Sequence, residues 1–348
     1  MPQGVRVFFW IAICAVFFVK AAPAKASQGA KVEQEGQGLV TEEEKLNYRT
    51  QRAVAEDWDD VKLTGSHLKM RPPALGEIDK HEKFTSERIQ VQWRPGDPID
   101  LFIMKPAGVK KPPVIIYLAS FPSETRRFMD DGFCERLTRS GFAAVGLVSA
   151  MTGDRFQNRP MKEWFVSNLR EALVSTAHDV QMILNYLDSR NEFDLTKVGM
   201  IGNGSGATIA ILAAGADTRI KAIDLIDPWA DWPEWIAKSP VVPDKERSDY
   251  LKPEFLEDVQ SLDPLATLPK LKTPHIRLQL IRGDAAATDP VLKKLEAAAP
   301  DSIVIEHSGN ALIHSSKMSD GKLFEWLKDQ LSPAPQEQVQ QSSKAMHP

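Results

Sequence analysis

Six short apolar-rich runs, at residues 114–119, 142–148, 198–201, 220–226, 276–281 and 303–305, are separated mostly by segments with helical apolar spacing. An apolar run of that length bounded by polar turns suits a strand covered on both faces. Between them Leu169, Leu173, Val180, Ile183, Leu184 and Leu187 fall at mostly three- and four-residue steps, and residues 292–299 and 323–331 repeat the pattern more briefly. Strand alternating with helix predicts an α/β chain: a mostly parallel, doubly wound sheet between two helical layers, a three-layer αβα sandwich. Upstream, Ile89, Val91 and Trp93 alternate with polar residues, Arg94-Pro95-Gly96-Asp97 supplies a turn, and residues 99–104 return as a second strand. That is an N-terminal hairpin.

The ends read differently. Residues 1–26 have the form of a secretory signal, with Arg6 ahead of an apolar run at 7–19 and Ala24-Lys25-Ala26 as a small-residue cleavage site. The run is shorter than the roughly 20 residues a membrane-spanning helix needs. The expectation is therefore a protein secreted or delivered to the periplasm, with no membrane attachment once the leader is cleaved. Residues 27–85 form an N-terminal extension, 86–331 the α/β domain with a small cap at about 228–262, and the Gln-, Ser- and Pro-rich residues 332–348 a disordered tail.

Lys and Arg number 43 against 47 Asp and Glu, so no basic excess exists for phosphate neutralisation, and nucleic-acid binding is excluded. The seven His are scattered, with no H-E-x-x-H and no Cys/His cluster, which predicts no metal. Outside the leader one cysteine remains, Cys134, expected to be a buried small hydrophobe.

In a doubly wound sheet ligands bind where strands end and helices begin. The tightest such turn here is Gly202-Asn203-Gly204-Ser205-Gly206-Ala207, following the strand at 198–201. It resembles the G-x-S-x-G nucleophile elbow of the α/β-hydrolase superfamily, and the order of pieces is similar to that of secreted esterases and prolyl-oligopeptidase-type peptidases. Aligning the glycines on Gly202 and Gly206 puts the nucleophile position at Gly204, which has no side chain. Ser205 then begins the helix, with a capping or incidental hydroxyl. The resemblance implies an acid three residues past Gly283, where Ala286 stands, and a histidine after Gly309, where Asn310 stands. The oxyanion loop of relatives is matched by Ala119-Ser120. Serine, base and orienting acid are needed together. The expectation is a hydrolase-like fold without its standard triad, binding a small ligand or a protein partner in the cleft beside Gly204, with no cofactor.

Two other readings stay open. An active ester or peptide hydrolase would use Ser205 with a displaced base, His307 or His314, and a displaced acid, Asp284 or Asp289. The same glycines also fit G-x-G-x-x-A, the dinucleotide turn, with Asp224 or Asp227 as the ribose-binding acid. In the cap, Trp229, Trp232 and Trp235 recur every three residues, so on a helix they would share one face, either lining a pocket or packing on the domain.

Overall fold

The computed structural model describes residues 56–94, 97–121, 126–151, 168–283, 287–310 and 322–331. The leader, the tail and residues 27–55 of the extension lie outside these residues. Each apolar run becomes a strand: β4 Pro113–Leu118, β5 Ala143–Leu147, β6 Asp194–Asn203, β7 Ile220–Ile226, β8 His275–Ile281 and β9 Val304–Ser308. The hairpin forms as β2 Phe84–Arg94 and β3 Asp97–Pro106, and an edge strand, β1 Ala74–Lys80, precedes it. Together they make one nine-stranded sheet in the order β1-β2-β3-β5-β4-β6-β7-β8-β9. The pairs β1/β2, β2/β3 and β3/β5 are antiparallel, and the pairs from β5/β4 through β8/β9 are parallel.

The helices that connect the strands cover both faces. On one side α1 (Asp131–Thr138) and α9 (Lys322–Leu331) close a core around Phe102, Tyr117, Phe128, Phe133, Phe324 and Leu327. Asp130 starts α1 by accepting the Phe133 N–H at 3.0 Å. On the other side α2 (Leu169–Arg190), α3 (Ser205–Ala216) and α8 (Asp289–Ala298) pack on the larger core. Four short helices, α4 Trp232–Lys238, α5 Arg247–Tyr250, α6 Pro253–Val259 and α7 Pro264–Thr267, fill the long β7–β8 connection. The three layers follow from the sequence pattern: strands apolar on both faces require cover on both.

Residues 56–63 run along α2 as a strap whose backbone is read by helix side chains. Gln181 accepts the Leu63 N–H at 3.1 Å and donates to the Val61 carbonyl at 2.9 Å. His178 Nε2 lies 2.9 Å from the Asp60 carbonyl, and its Nδ1 lies 2.8 Å from Glu56. Behind them Arg94, fully buried, is bonded to Glu56 and Asp179, with Asp97 at 3.5 Å and the Ser175 carbonyl at 3.1 Å. Trp93 Nε1 donates to Asp179 at 2.9 Å. Charged residues this deep persist because each is paired or hydrogen-bonded. His178 and Asp179 thus belong to a structural network inside the domain.

Candidate functional site

The β6–α3 turn stands at the C-terminal edge of the parallel sheet, next to the end of β4. Strand and helix meet there without a spacer. A Cβ on Gly202 would run into the Gly206 and Ala207 backbone, and one on Gly206 into the Leu118 and Ala119 carbonyls. Those two glycines are therefore close-approach residues. Gly204, at the apex, has φ 53° and ψ −117°, a conformation L side chains rarely adopt. Its N–H donates to the Ile226 carbonyl at 2.9 Å, which pins the apex to the end of β7.

The volume a side chain at position 204 would need is already filled. A Cβ there would lie 3.0 Å from Ser120 Cβ and 3.0 Å from Trp229 Nε1, and closer still to Ser120 Oγ. The Ser120 Oγ contact is one real Cβ atoms do not show, so that hydroxyl would have to turn away, and the two contacts at 3.0 Å would have to give slightly. Ser120, on the loop after β4, is half-buried, and its hydroxyl lies 3.3 Å from the Phe121 carbonyl. The Ser120 hydroxyl thus stands beside the place a Cβ on residue 204 would take.

Ser205 is fully buried as the first residue of α3. Its Oγ accepts the Phe121 N–H at 2.9 Å, joining the β4 loop to the helix start. That contact uses a backbone donor of the loop equated above with the oxyanion loop, and a hydroxyl without solvent access is poorly placed to attack a substrate. Asn203, at the end of β6, is half-buried.

Of the displaced partners, His307 and Asp289 are among the described residues, and neither is hydrogen-bonded to Ser205 there. His307 sits on β9 with Nε2 3.6 Å from Glu296 of α8, and half of its side chain is exposed. Asp289 is exposed at the head of α8. Asp284 and His314 lie outside the described residues, as does Ala286. Asn310 follows β9. The acids of the dinucleotide reading are enclosed as well. Asp224 is buried on β7, bonded to Arg277 at 2.7 and 2.9 Å and to Gln279 at 2.8 Å, and burial pushes its carboxyl upward. Asp227, with φ 42°, accepts the Ile281 N–H at 2.8 Å.

The tryptophans correct the expectation of a single helical face. Helix α4 begins at Trp232, so Trp229 precedes it, and Asp231 with φ 57° separates the two. All three indoles are buried in one cluster, with Trp229 and Trp235 centroids 4.6 Å apart and Trp232 and Trp235 at 5.9 Å. Trp232 Nε1 donates to the Val259 carbonyl at 3.0 Å. Asp263 accepts the N–H groups of Asp231, Trp232 and Leu265 at 2.9–3.1 Å and so fixes the start of α4. The indoles are core, with Trp229 facing the elbow.

Among the described residues no group of three His, Cys, Asp or Glu is placed to hold a metal ion, and no helix is long and apolar enough to cross a membrane.

The family model of the dienelactone hydrolases matches residues 99–224, from β3 through β7. Acetyl xylan esterase 1 from a Thermoanaerobacterium species superposes with a TM-score of 0.55 at 13% identity, over 79% of this chain and 98% of that one. The acylaminoacyl peptidase of Pyrococcus horikoshii gives 0.57 at 17% identity, over 73% of this chain and 43% of that one. The S-formylglutathione hydrolase of Agrobacterium tumefaciens gives 0.55 at 11%, over 74% and 99%. Comparison with curated protein sequences gives no match. At these identities the likeness concerns the fold.

Proposed function

We propose that this chain, which has the α/β-hydrolase fold, is an exported binding protein that holds a small acyl-type ligand at the C-terminal edge of its sheet without an elbow nucleophile. The observation that carries the reading is the apex of the elbow: Gly204 has no side chain, and Ser120 and Trp229 crowd the place where a Cβ on residue 204 would stand. The burial of Ser205 and its bond to the Phe121 N–H support it from the other side of the turn. The similarity to esterases and a peptidase argues for a ligand with an ester- or amide-like carbonyl, recognised and released unchanged. Export rests on the leader at residues 1–26. Incubation of the mature protein with a fluorophosphonate probe tests the reading. No adduct is expected, and an adduct at Ser205 would overturn it. N-terminal sequencing of the cell-processed protein, expected to begin after Ala26, tests the leader.

A second reading has its own observation. Ser120 places a half-buried hydroxyl close to where the nucleophile of a hydrolase would stand. In that reading the chain is an active serine hydrolase whose attacking oxygen has moved to the neighbouring loop. A fluorophosphonate adduct on Ser120, lost in Ser120→Ala, would select it over the binding role.

A further inference from the structure

A second concavity lies away from the elbow, in the cap, between the start of α4, one side of α6 and α7. From α6 and the turn after it come Pro253, Leu256, Glu257 and Gln260, at three- and four-residue steps along the helix. The cavity encloses about 500 Å³ and shares no lining residue with the β6–α3 turn. That volume falls within the ~300–1,000 Å³ of small-molecule pockets. We infer that it is a binding site for an organic cation, an ammonium group carried on a compact apolar body.

Three observations carry the inference. The first is the walls. Besides the buried Trp232, the cavity is lined by Pro233 and Pro253, which are exposed, and by Leu256, Leu265 and Ala266, which are half-buried. Apolar surface is thus left for a ligand to cover. The second is the sign of the charge. The remaining lining residues are Gln260 and three acids, Asp231, Glu257 and Asp263, and no Lys, Arg or His is among them. Lys294 of α8 reaches Asp231 from outside the lining and bonds to its Oδ2. Glu257 is exposed and makes no ion pair among the described residues. One cation therefore serves three carboxylates, which repels an anion and leaves an attraction for a second positive charge.

The third is preorganisation. Asp263 is buried, and the N–H groups of Asp231, Trp232 and Leu265 hold both of its carboxylate oxygens, so its position in the wall is set before a ligand arrives. Burial, and behind it the Asp231 carboxylate, push the Asp263 carboxyl upward against the pull of those N–H groups. A positive charge entering beside the two acids offsets that cost. The acids do not suit a metal ion, since no group of three His, Cys, Asp or Glu among the described residues is placed to hold one. An ammonium group on an apolar body meets both halves of the lining.

Titration of the mature protein with benzylamine, followed by ligand-observed saturation-transfer NMR, tests this, with benzyl alcohol and benzoate as neutral and anionic comparisons on the same ring. Benzylamine is expected to bind, benzyl alcohol more weakly and benzoate not at all. Glu257→Gln should weaken benzylamine binding by about two- to fivefold, the range for loss of one exposed ionic partner. Glu257→Lys should weaken it further, and neither change should lower the melting temperature. Ala266→Phe, which fills the cavity and keeps its acids, should abolish binding. Should Ala266→Phe fail to fold, the two Glu257 variants decide. Absence of benzylamine binding, equal binding of benzyl alcohol, or benzylamine binding that ignores these substitutions would overturn the proposal.

Discussion

The side-chain oxygen of Ser120 lies inside contact distance of the place a Cβ on Gly204 would take, so a side chain at position 204 requires the Ser120 side chain to shift. The apex glycine and the serine of the β4 loop are a matched pair. Gly204→Ala should therefore destabilise the fold on two counts: a Cβ at positive φ costs about 1–2 kcal/mol, and overpacking adds about 1–3 kcal/mol. Adding Ser120→Gly should recover part of the loss, because it removes both Ser120 atoms that crowd the site and leaves Trp229 Nε1 at 3.0 Å. Urea denaturation of the two single variants and the double variant measures the coupling. Strictly additive effects would mean that the contact does not exist.

Ser205 makes the complementary case. Its hydroxyl is the acceptor for the Phe121 N–H in a place with no solvent access. Removing it strands a buried donor, which costs about 1–3 kcal/mol. Ser205→Ala should lower stability by that amount and leave fluorophosphonate labelling and any esterase activity of the mature protein where they were. Activity that disappears in a still-folded Ser205→Ala protein would assign Ser205 a chemical role.

How much of this was legible beforehand follows from the range over which each feature is encoded. Strands β4 and β5 announce themselves because burial on both faces demands uninterrupted apolar runs, β7 and β8 keep enough apolar residues around the paired Asp224, Arg277 and Gln279 to be read as strands, and the elbow's register is written in Gly202 and Gly206, whose backbones touch their neighbours. Strand β1 carries no such signal, since an edge strand with Ile78 60% exposed needs little apolar content. The tryptophan spacing misleads because periodicity is silent about where a helix starts, and Asp231 breaks the backbone between Trp229 and Trp232. The crowding at Gly204 depends on the β4 loop, 84 residues before the elbow along the chain, arriving beside it through the β4/β6 pairing. Nothing local encodes that. Arg94 and Asp97 read only as the ends of a hairpin turn in the sequence, and their burial with Glu56 and Asp179 depends on the strap closing over α2.

That closure gives a prediction for Arg94. Its guanidinium stands among three buried carboxylates, Glu56, Asp97 and Asp179. Arg94→Met leaves them mutually repelling in a site from which water is excluded, and breaking a buried pair in this way costs about 3–5 kcal/mol. The urea midpoint should fall accordingly. Trypsin should also cut at Lys62 of the strap and at Lys69, which follows it, well before the rest of the domain, because Glu56 loses its anchor. A variant with wild-type stability and an intact strap would show that the network contributes nothing.

Cys134 supplies a simple probe of the α1 side of the sheet. It is buried, and burial together with Asp131 and Asp130 pushes its thiol up to about 11. The thiolate is scarce at pH 8 and sheltered, so iodoacetamide should leave the native protein unmodified and alkylate Cys134 only as the domain unfolds. Rapid alkylation under native conditions would mean that the α1 side opens on its own.

Acid stability is governed in part by Glu87 of β2. Burial works against its charged form, but Arg190 at 2.8 and 3.0 Å and Lys105 at 2.7 Å outweigh it, and the carboxyl is held below its ordinary value of 4.5. Glu192, which shares both cations, is lowered in the same way. Because the folded value lies below the unfolded one, the unfolded chain takes up the proton first as pH falls. The pairing thus contributes in full above about pH 4.5, and its contribution drains away as pH drops through the folded value. Glu87→Gln should cost about 1–3 kcal/mol at pH 7 and progressively less below pH 4.5, so the stability curves of wild type and variant should converge in acid. Melting temperatures measured from pH 7 to pH 3 read this directly, and curves that stay parallel would mean that Glu87 is not the group that titrates.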